Sequence, residues 1–424
     1  MGDVVIDLGL DRGTPESYAK PGRRTTSPWL PPFLVAVLVL LAAAASAGPA
    51  RSPLDEVLRT PIGPADPYLI TEGRVLVQSR GVLTAYDLAA GGLRWRTAQP
   101  VPVYQLRSAD GLVLLRPWAT GRAEPGTTAV SIATGTAEWH HRRNVITATG
   151  GDLMIAVSGV RSSSRTRVEG EVDALDPVTG LTRWQVRVPS TGVLLTVPGP
   201  ADLGPRMMLV RDDRTASLYD TGTGDLLATR ALPAAGYGPA NPVVAGGVVL
   251  LRHPGPSGTE VSAYDAATLR PLWTEPAGDT VEVHTCGLLA CLVERDGIVA
   301  VDPATGDERW RHDGWRSAEQ HGMSLVVSVA DAPVATVDPA SGRVLVDLTG
   351  WHLIGGTDGS GRSLVTRAID GGARTMVAVA DPAVSRPRPI AVLPAGTGDC
   401  QAAPGRLVCR STTGELIVWG YTEG

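Results

Sequence analysis

AYDLAAGGLRW (85–95), ALDPVTGLTRW (174–184), AYDAATLRPLW (263–273) and AVDPATGDERW (300–310) are four copies of one phrase. Each sets a Trp eight residues after an Asp: Asp87 and Trp95, Asp176 and Trp184, Asp265 and Trp273, Asp302 and Trp310. VSIATGTAEW (130–139) is a fifth copy, with Ser131 in the Asp place and Trp139 at the same offset. Five of the ten tryptophans therefore share one spacing, the mark of an internal repeat. Copies without the Trp are LYDTGTGDLLA from Leu218 (Asp220), TVDPASGRVLV from Thr336 (Asp338) and VADPAVSRPRP from Val379 (Asp381). A last stub, LIVWGY (416–421), has Gly420 in the Asp place. The nine anchor positions stand 36 to 45 residues apart, the length of one propeller blade.

The phrase has a physical reading. The run before each Asp (VLTAYD, EVDALD, GIVAVD) is strand-like, and D-x-x-[TS]-G turns the chain. The Asp carboxylate accepts backbone N–H bonds two residues on, and the Gly takes a positive φ. The next strand carries the Trp. Such a side chain buries about 150–250 Å², roughly 4–6 kcal/mol as an upper bound, and one per unit acts as a wedge between neighbouring blades. A further apolar run lies upstream of each Asp, such as RVLVQS (74–79), VVLLR (248–252) and RLVCRS (406–411). Its consecutive apolar residues suit a middle strand covered on both faces.

A repeat of this form resembles that of the quinoprotein β-propellers, the PQQ-binding-like repeat, and is similar to the propeller of the BamB outer-membrane assembly factors. The resemblance covers about residues 65–424. It implies an all-β propeller of about eight four-stranded blades, with seven and nine as alternatives. Nine anchors are visible, and Asp381, the poorest match, is taken as the miscounted unit. The last unit ends too soon to supply its outer strand, and LDEVLRT (54–60) can close the ring in its place, leaving no sheet edge exposed.

Composition agrees with a turn-rich globular protein: 50 Gly and 34 Pro among 424 residues, 43% hydrophobic and 19% charged. Net charge is −5, so no nucleic-acid partner is expected. The N-terminal region differs. No charge occurs between Arg24 and Arg51, and Trp29 to Ala47 is nearly all apolar. Some 20 residues at about 1.5 Å rise cover a bilayer's hydrocarbon core. Lys20, Arg23 and Arg24 precede the segment and Arg51 alone follows, which places the N-terminus in the cytoplasm. The competing reading is a secretory signal cleaved after Ala45-Ser46-Ala47. The expected organisation is a disordered cytoplasmic tail (1–27), a transmembrane signal-anchor helix (28–48), a linker with a ring-closing strand (49–66) and an extracytoplasmic propeller (67–424).

Cys286, Cys291, Cys400 and Cys409 all fall on the expected outer side, where disulfides persist. Cys291 and Cys409 each precede an anchor by 11 residues and so share one place in the repeat. Their neighbours sit on the preceding strand, which predicts hairpin disulfides Cys286–Cys291 and Cys400–Cys409. The alternatives are the two other pairings or free thiols. No His pair has metal-ligand spacing, and neither a phosphate-binding loop nor a G-x-S-x-G elbow occurs. Quinone-dependent relatives carry a vicinal Cys-Cys ring and calcium ligands, for which this chain has no adjacent Cys pair and only Asn144 and Asn241. A basic stretch, Arg161, Arg165 and Arg167 with His140, His141, Arg142 and Arg143, is either solvated loop charge or a contact for an acidic surface. The expectation is a non-enzymatic, membrane-tethered scaffold with no cofactor and no catalytic or metal residues. Its partner is an unknown protein or cell-surface ligand. The alternatives are a quinoprotein-type dehydrogenase or its subunit, and a sensor ectodomain.

Overall fold

Residue alternation shapes every strand of the chain from Pro53 onward. In Arg74–Ser79, Val75 and Val77 pack towards one neighbouring blade while Leu76 packs towards the other. The same two-sided burial recurs in each middle strand, so the strands assemble as radial sheets with a hydrophobic layer on each side. The computed structural model describes residues 54–99, 103–117, 126–147, 153–158, 166–199, 204–237, 241–356 and 362–421, with Val35 and Val37. Among these no helix is long and apolar enough to cross a membrane. The expected anchor segment lies outside the described residues apart from Val35 and Val37.

The sheets number eight: seven of four strands and one of seven, all antiparallel between sequence neighbours. Eight is the number of sheets expected, but the repeat units number nine. Asp381 is a genuine unit, lying just after Arg374–Ala380 in a complete four-stranded sheet. The merger falls instead between the units of Asp176 and Asp220, through Thr182–Val197, a 16-residue strand that is outer strand to the first and inner strand to the second. The cause is the polar insertion before Asp176. It lengthens Thr166–Leu175 so that residues 166–168 pair with 192–194. We number the units blades 1 to 9 by anchor: Asp87, Ser131, Asp176, Asp220, Asp265, Asp302, Asp338, Asp381 and Gly420.

Nine buried clusters join successive blades, and the ninth brings Val75, Val77 and Leu88 of blade 1 against Val408, Leu416 and Val418 of blade 9. The ring is thus closed. Leu54–Pro61 supplies blade 9 with its outer strand by pairing with Glu415–Tyr421. Arg410 ties the same seam, donating to the carbonyls of Gly63, Pro64 (3.0 Å) and Asp66 (2.9 Å) and lying over the Tyr68 ring.

The tryptophan wedge works by a repeated device. The indole N–H of Trp95, Trp139, Trp184, Trp273 and Trp310 each donates at 2.9 Å to the carbonyl just after the next blade's anchor (Ile132, Pro177, Thr221, Pro303, Pro339). Each ring also lies against the Gly of that blade's turn: at Gly180, φ 68°, a Cβ would stand 2.6 Å from the Trp139 ring. Within its own blade each Trp faces an Ala, as Trp95 faces Ala85, beside a β-bulge. Blade 4 inverts the sizes. Ala228 stands in the Trp place opposite Leu218, and the next turn carries Leu269, buried at φ 57°, where six other turns carry Gly. Volume lost on one strand is restored from its neighbours.

The anchors hold their turns as expected. Asp176 Oδ1 accepts the N–H groups of Val178 (3.0 Å) and Thr179 (2.9 Å), and Asp338 does the same with Ala340 and Ser341. The bulged Arg one residue before the Trp turns back on the anchor: Arg94 on Asp87, Arg183 on Asp176, Arg309 on Asp302. Arg183, with the Thr179 N–H, holds the Asp176 carboxyl down to about 2, and Arg94 and Arg309 lower Asp87 and Asp302. In the unfolded chain these carboxyls titrate near about 4. Folded values below unfolded ones mean a stabilisation complete above about pH 4 and lost as pH falls towards about 2. The thermal midpoint is expected to drop across that window, and Arg183→Gln to flatten the drop. Scanning calorimetry from pH 5 to 2 checks it; equal slopes for both proteins would refute it.

Candidate functional site

Successive antiparallel strands put the D-x-x-T-G turns and the hairpins between first and second strands at one end of the ring. This end carries most of the exposed large apolar side chains of the described blades. Val178, Leu181, Leu226 and Val384 lie on its turns, and Leu288 (80% exposed) and Met323 (84%) on its inner hairpins. The other end shows Val281 and Val329. Leu288 and Met323 belong to adjacent blades 6 and 7, each directly after a hairpin Gly (Gly287, φ 65°; Gly322, φ 57°). Gln320 fixes both tips, its Oε1 accepting the Gly287 N–H (3.0 Å) and its Nε2 donating to Gly322 O (2.7 Å).

A cavity of about 740 Å³ opens beside Leu288. Its walls are Leu289, Pro303, Ala304, Pro339 and Ala340, with Cys286 at the base and Asp302, Arg309 and Asp338 at the edge. Cys286 is bonded to Cys291 and Cys400 to Cys409, and these links leave no free thiol among the described residues. The first disulfide staples the hairpin that presents Leu288, so the apolar tip stands on a cross-linked base. At the ring seam the equivalent place between blades 9 and 1 holds a second cavity of about 640 Å³. Charged Glu72, Arg74, Asp87, Arg94 and Arg406 line it together with Leu88, Ala89 and Pro404, so it carries more charged groups than the first.

Asp87, Asp176, Asp220, Asp265, Asp302 and Asp338 hold turns, and Trp95, Trp139, Trp184, Trp273 and Trp310 hold interfaces; both sets frame this end of the ring. Of the basic stretch, three described members are already engaged within the protein. Arg143 is consumed by Asp173 (2.8 Å) and Glu171. His140 contacts Thr128 and His141 accepts the Arg143 N–H, burial holding His141 below the ordinary histidine range. Arg161 and Arg165 lie outside the described residues. Among the described residues no three His, Cys, Asp or Glu side chains gather as metal ligands. The donor set does not fit a quinone–calcium site of the kind the resemblance implies. The cysteines are paired across hairpins rather than vicinally, and the Asn241 amide is spent on both backbone groups of Arg252. Sequence reasoning missed Leu288 and Met323; a lone large apolar residue straight after a hairpin Gly was the available signal.

The sequence profile of the family described as outer membrane protein assembly factor BamB matches residues 59–192 and 168–346, together more than half of the chain. No curated protein sequence matches. Similar solved structures include BamB from Moraxella catarrhalis, at 15% identity and TM-score 0.43, covering 87% of this chain and 100% of that one. The C-terminal WD40 domain of Sif2 is 11% identical at TM-score 0.44, covering 87% and 99%. A europium-containing methanol dehydrogenase is 11% identical at TM-score 0.36, covering 71% and 72%.

Proposed function

This chain belongs to the family of the outer membrane protein assembly factor BamB, and from that premise we propose that it is a non-enzymatic, protein-binding scaffold, tethered by its N-terminal apolar segment with the propeller outside the cytoplasm. The observation that carries the binding role is Leu288, 80% exposed on the wall of a 740 Å³ apolar cavity, with Met323, 84% exposed, on the next blade's hairpin that Gln320 ties to it. Soluble surfaces seldom leave large apolar side chains grouped around a concavity unless something covers them. A partner presenting an aliphatic or aromatic side chain fills the cavity against Leu288, Met323 extends the apolar surface from the next hairpin, and the Asp302–Arg309 pair gives a polar rim.

A photo-crosslinking residue placed at Met323 in native membranes is expected to capture one dominant partner. Leu288→Asp with Met323→Asp, judged by co-purification against wild type, is expected to lose that partner with an unchanged thermal midpoint. Recovery of the same partner by the double variant at wild-type yield would remove the apolar end from the reading.

A further inference from the structure

The cavity at the seam holds an arginine whose usual task has been taken over. In the two interfaces leading from blade 4 to 5 and from blade 9 to 1, no Trp is available, and an arginine on the second strand opposite the anchor does the gripping. Arg206 donates to Ala267 O, and Arg406 to Leu88 O (2.9 Å) and Ala89 O (3.0 Å), carbonyls of the next blade's turn. Arg74 occupies the same repeat position in blade 1, opposite Asp87. There Trp95 already binds the Ile132 carbonyl, so the grip is made without Arg74. Asp87 is not free for it either. Its Oδ1 accepts the N–H groups of Ala89 and Ala90, and its Oδ2 is held by Arg94. Arg74 makes no hydrogen bond or ion pair among the described residues, and its Nε lies out of reach of water.

We propose that Arg74, flanked by Arg94 and Arg406 in the 640 Å³ seam cavity, binds a carboxylate group of an acidic partner segment. The assignment rests on the protein-binding reading and adds a second, charged contact to it. Arg94 is neutralised by Asp87, and the Arg406 fork is spent on neutral carbonyls, so the positive charges of Arg74 and Arg406 face the cavity with only exposed Glu72 at its rim. A single open guanidinium fork matches a carboxylate in two parallel hydrogen bonds. Glu72 and Asp87 nearby set the balance against a dianionic phosphate. The walls come from the first and last blades, so an occupant bridges the closure and stabilises the ring by mass action.

The test is calorimetric titration of the full chain with a blocked pentaglutamate peptide, a blocked pentaglutamine peptide and inorganic phosphate. Pentaglutamate is expected to bind and to raise the thermal midpoint, pentaglutamine not to bind, and Arg74→Gln to weaken pentaglutamate about tenfold or more. Arg74→Lys, which keeps the charge and loses the fork, is expected to fall between. Equal binding of the two peptides, unchanged affinity in Arg74→Gln, or binding of phosphate without pentaglutamate would overturn the assignment. The Leu288→Asp, Met323→Asp chain is expected to bind pentaglutamate as wild type does. Loss of the native partner in that chain with pentaglutamate binding retained separates the two sites; pentaglutamate binding lost in it would place the peptide on the apolar end and sink the seam site.

Discussion

Trp184→Ala is expected to destabilise the propeller by about 4 kcal/mol, the middle of the range for truncating a buried Trp. The ring of Trp184 is 9% exposed and sits among Val172, Val188 and Leu209 in the interface between blades 3 and 4. Its indole N–H satisfies the Thr221 carbonyl, and its face lies on Gly224, φ 79°, where a Cβ would come within 2.8 Å. Truncation removes all three contacts, and the rigid turn held by Asp220 cannot collapse into the space. Trp184→Phe keeps an aromatic face and loses the N–H, for an expected cost of about 1–2 kcal/mol. Equilibrium urea unfolding measures both. A loss below about 1 kcal/mol for the alanine variant would contradict the wedge.

Removing residues before Ile62 is the other large effect. Leu54–Pro61 makes seven register pairs with Glu415–Tyr421, buries Leu54 and joins Arg59 to Glu415 at 2.6 Å. Val57 and Leu58 also take the Trp place against Gly91 of blade 1, its Cβ position lying 2.0 Å from Val57 O. At roughly 0.5 kcal/mol per cross-strand pair and about 2 kcal/mol for Leu54, the expected loss is about 5 kcal/mol. The exposed edge of Glu415–Tyr421 is then a template for pairing with a second chain. Sedimentation of the truncated chain is expected to show self-association along with the lowered unfolding midpoint. A monomer of wild-type stability would mean that the ring does not depend on this strand.

Much of the frame was legible because the repeat forces its residues into few roles. An Asp before a Gly-bearing turn and a Trp eight residues on read the same way in each copy that carries them, and local hydrogen bonding with nearest-neighbour packing realises both. The seam strand was legible for the complementary reason, that a unit lacking its outer strand requires one from the other end of the chain. The sheet merger was not legible in detail. The insertion before Asp176 was visible, but whether it loops out or extends a hairpin depends on the pairing of residues 166–168 with 192–194.

The sequence by itself determined the class, the repeat period, the turn-holding aspartates and the tryptophan interfaces, since each follows from spacing within one unit or between adjacent strands; among the cysteine pairings it left open, the structure has the two hairpin links. The tertiary structure alone decided what stands at the ends of the ring. Leu288 and Met323 are 35 residues apart and become neighbours only when blades 6 and 7 pack, with Gln320 bonded to both hairpins. Arg74 and Arg406 are separated by most of the chain and meet only when the ring closes. Whether an arginine grips a carbonyl depends on whether its own blade supplies a Trp for that carbonyl, but what faces a released arginine is set by the blade packed against it, and for Arg74 that blade is the last one in the chain.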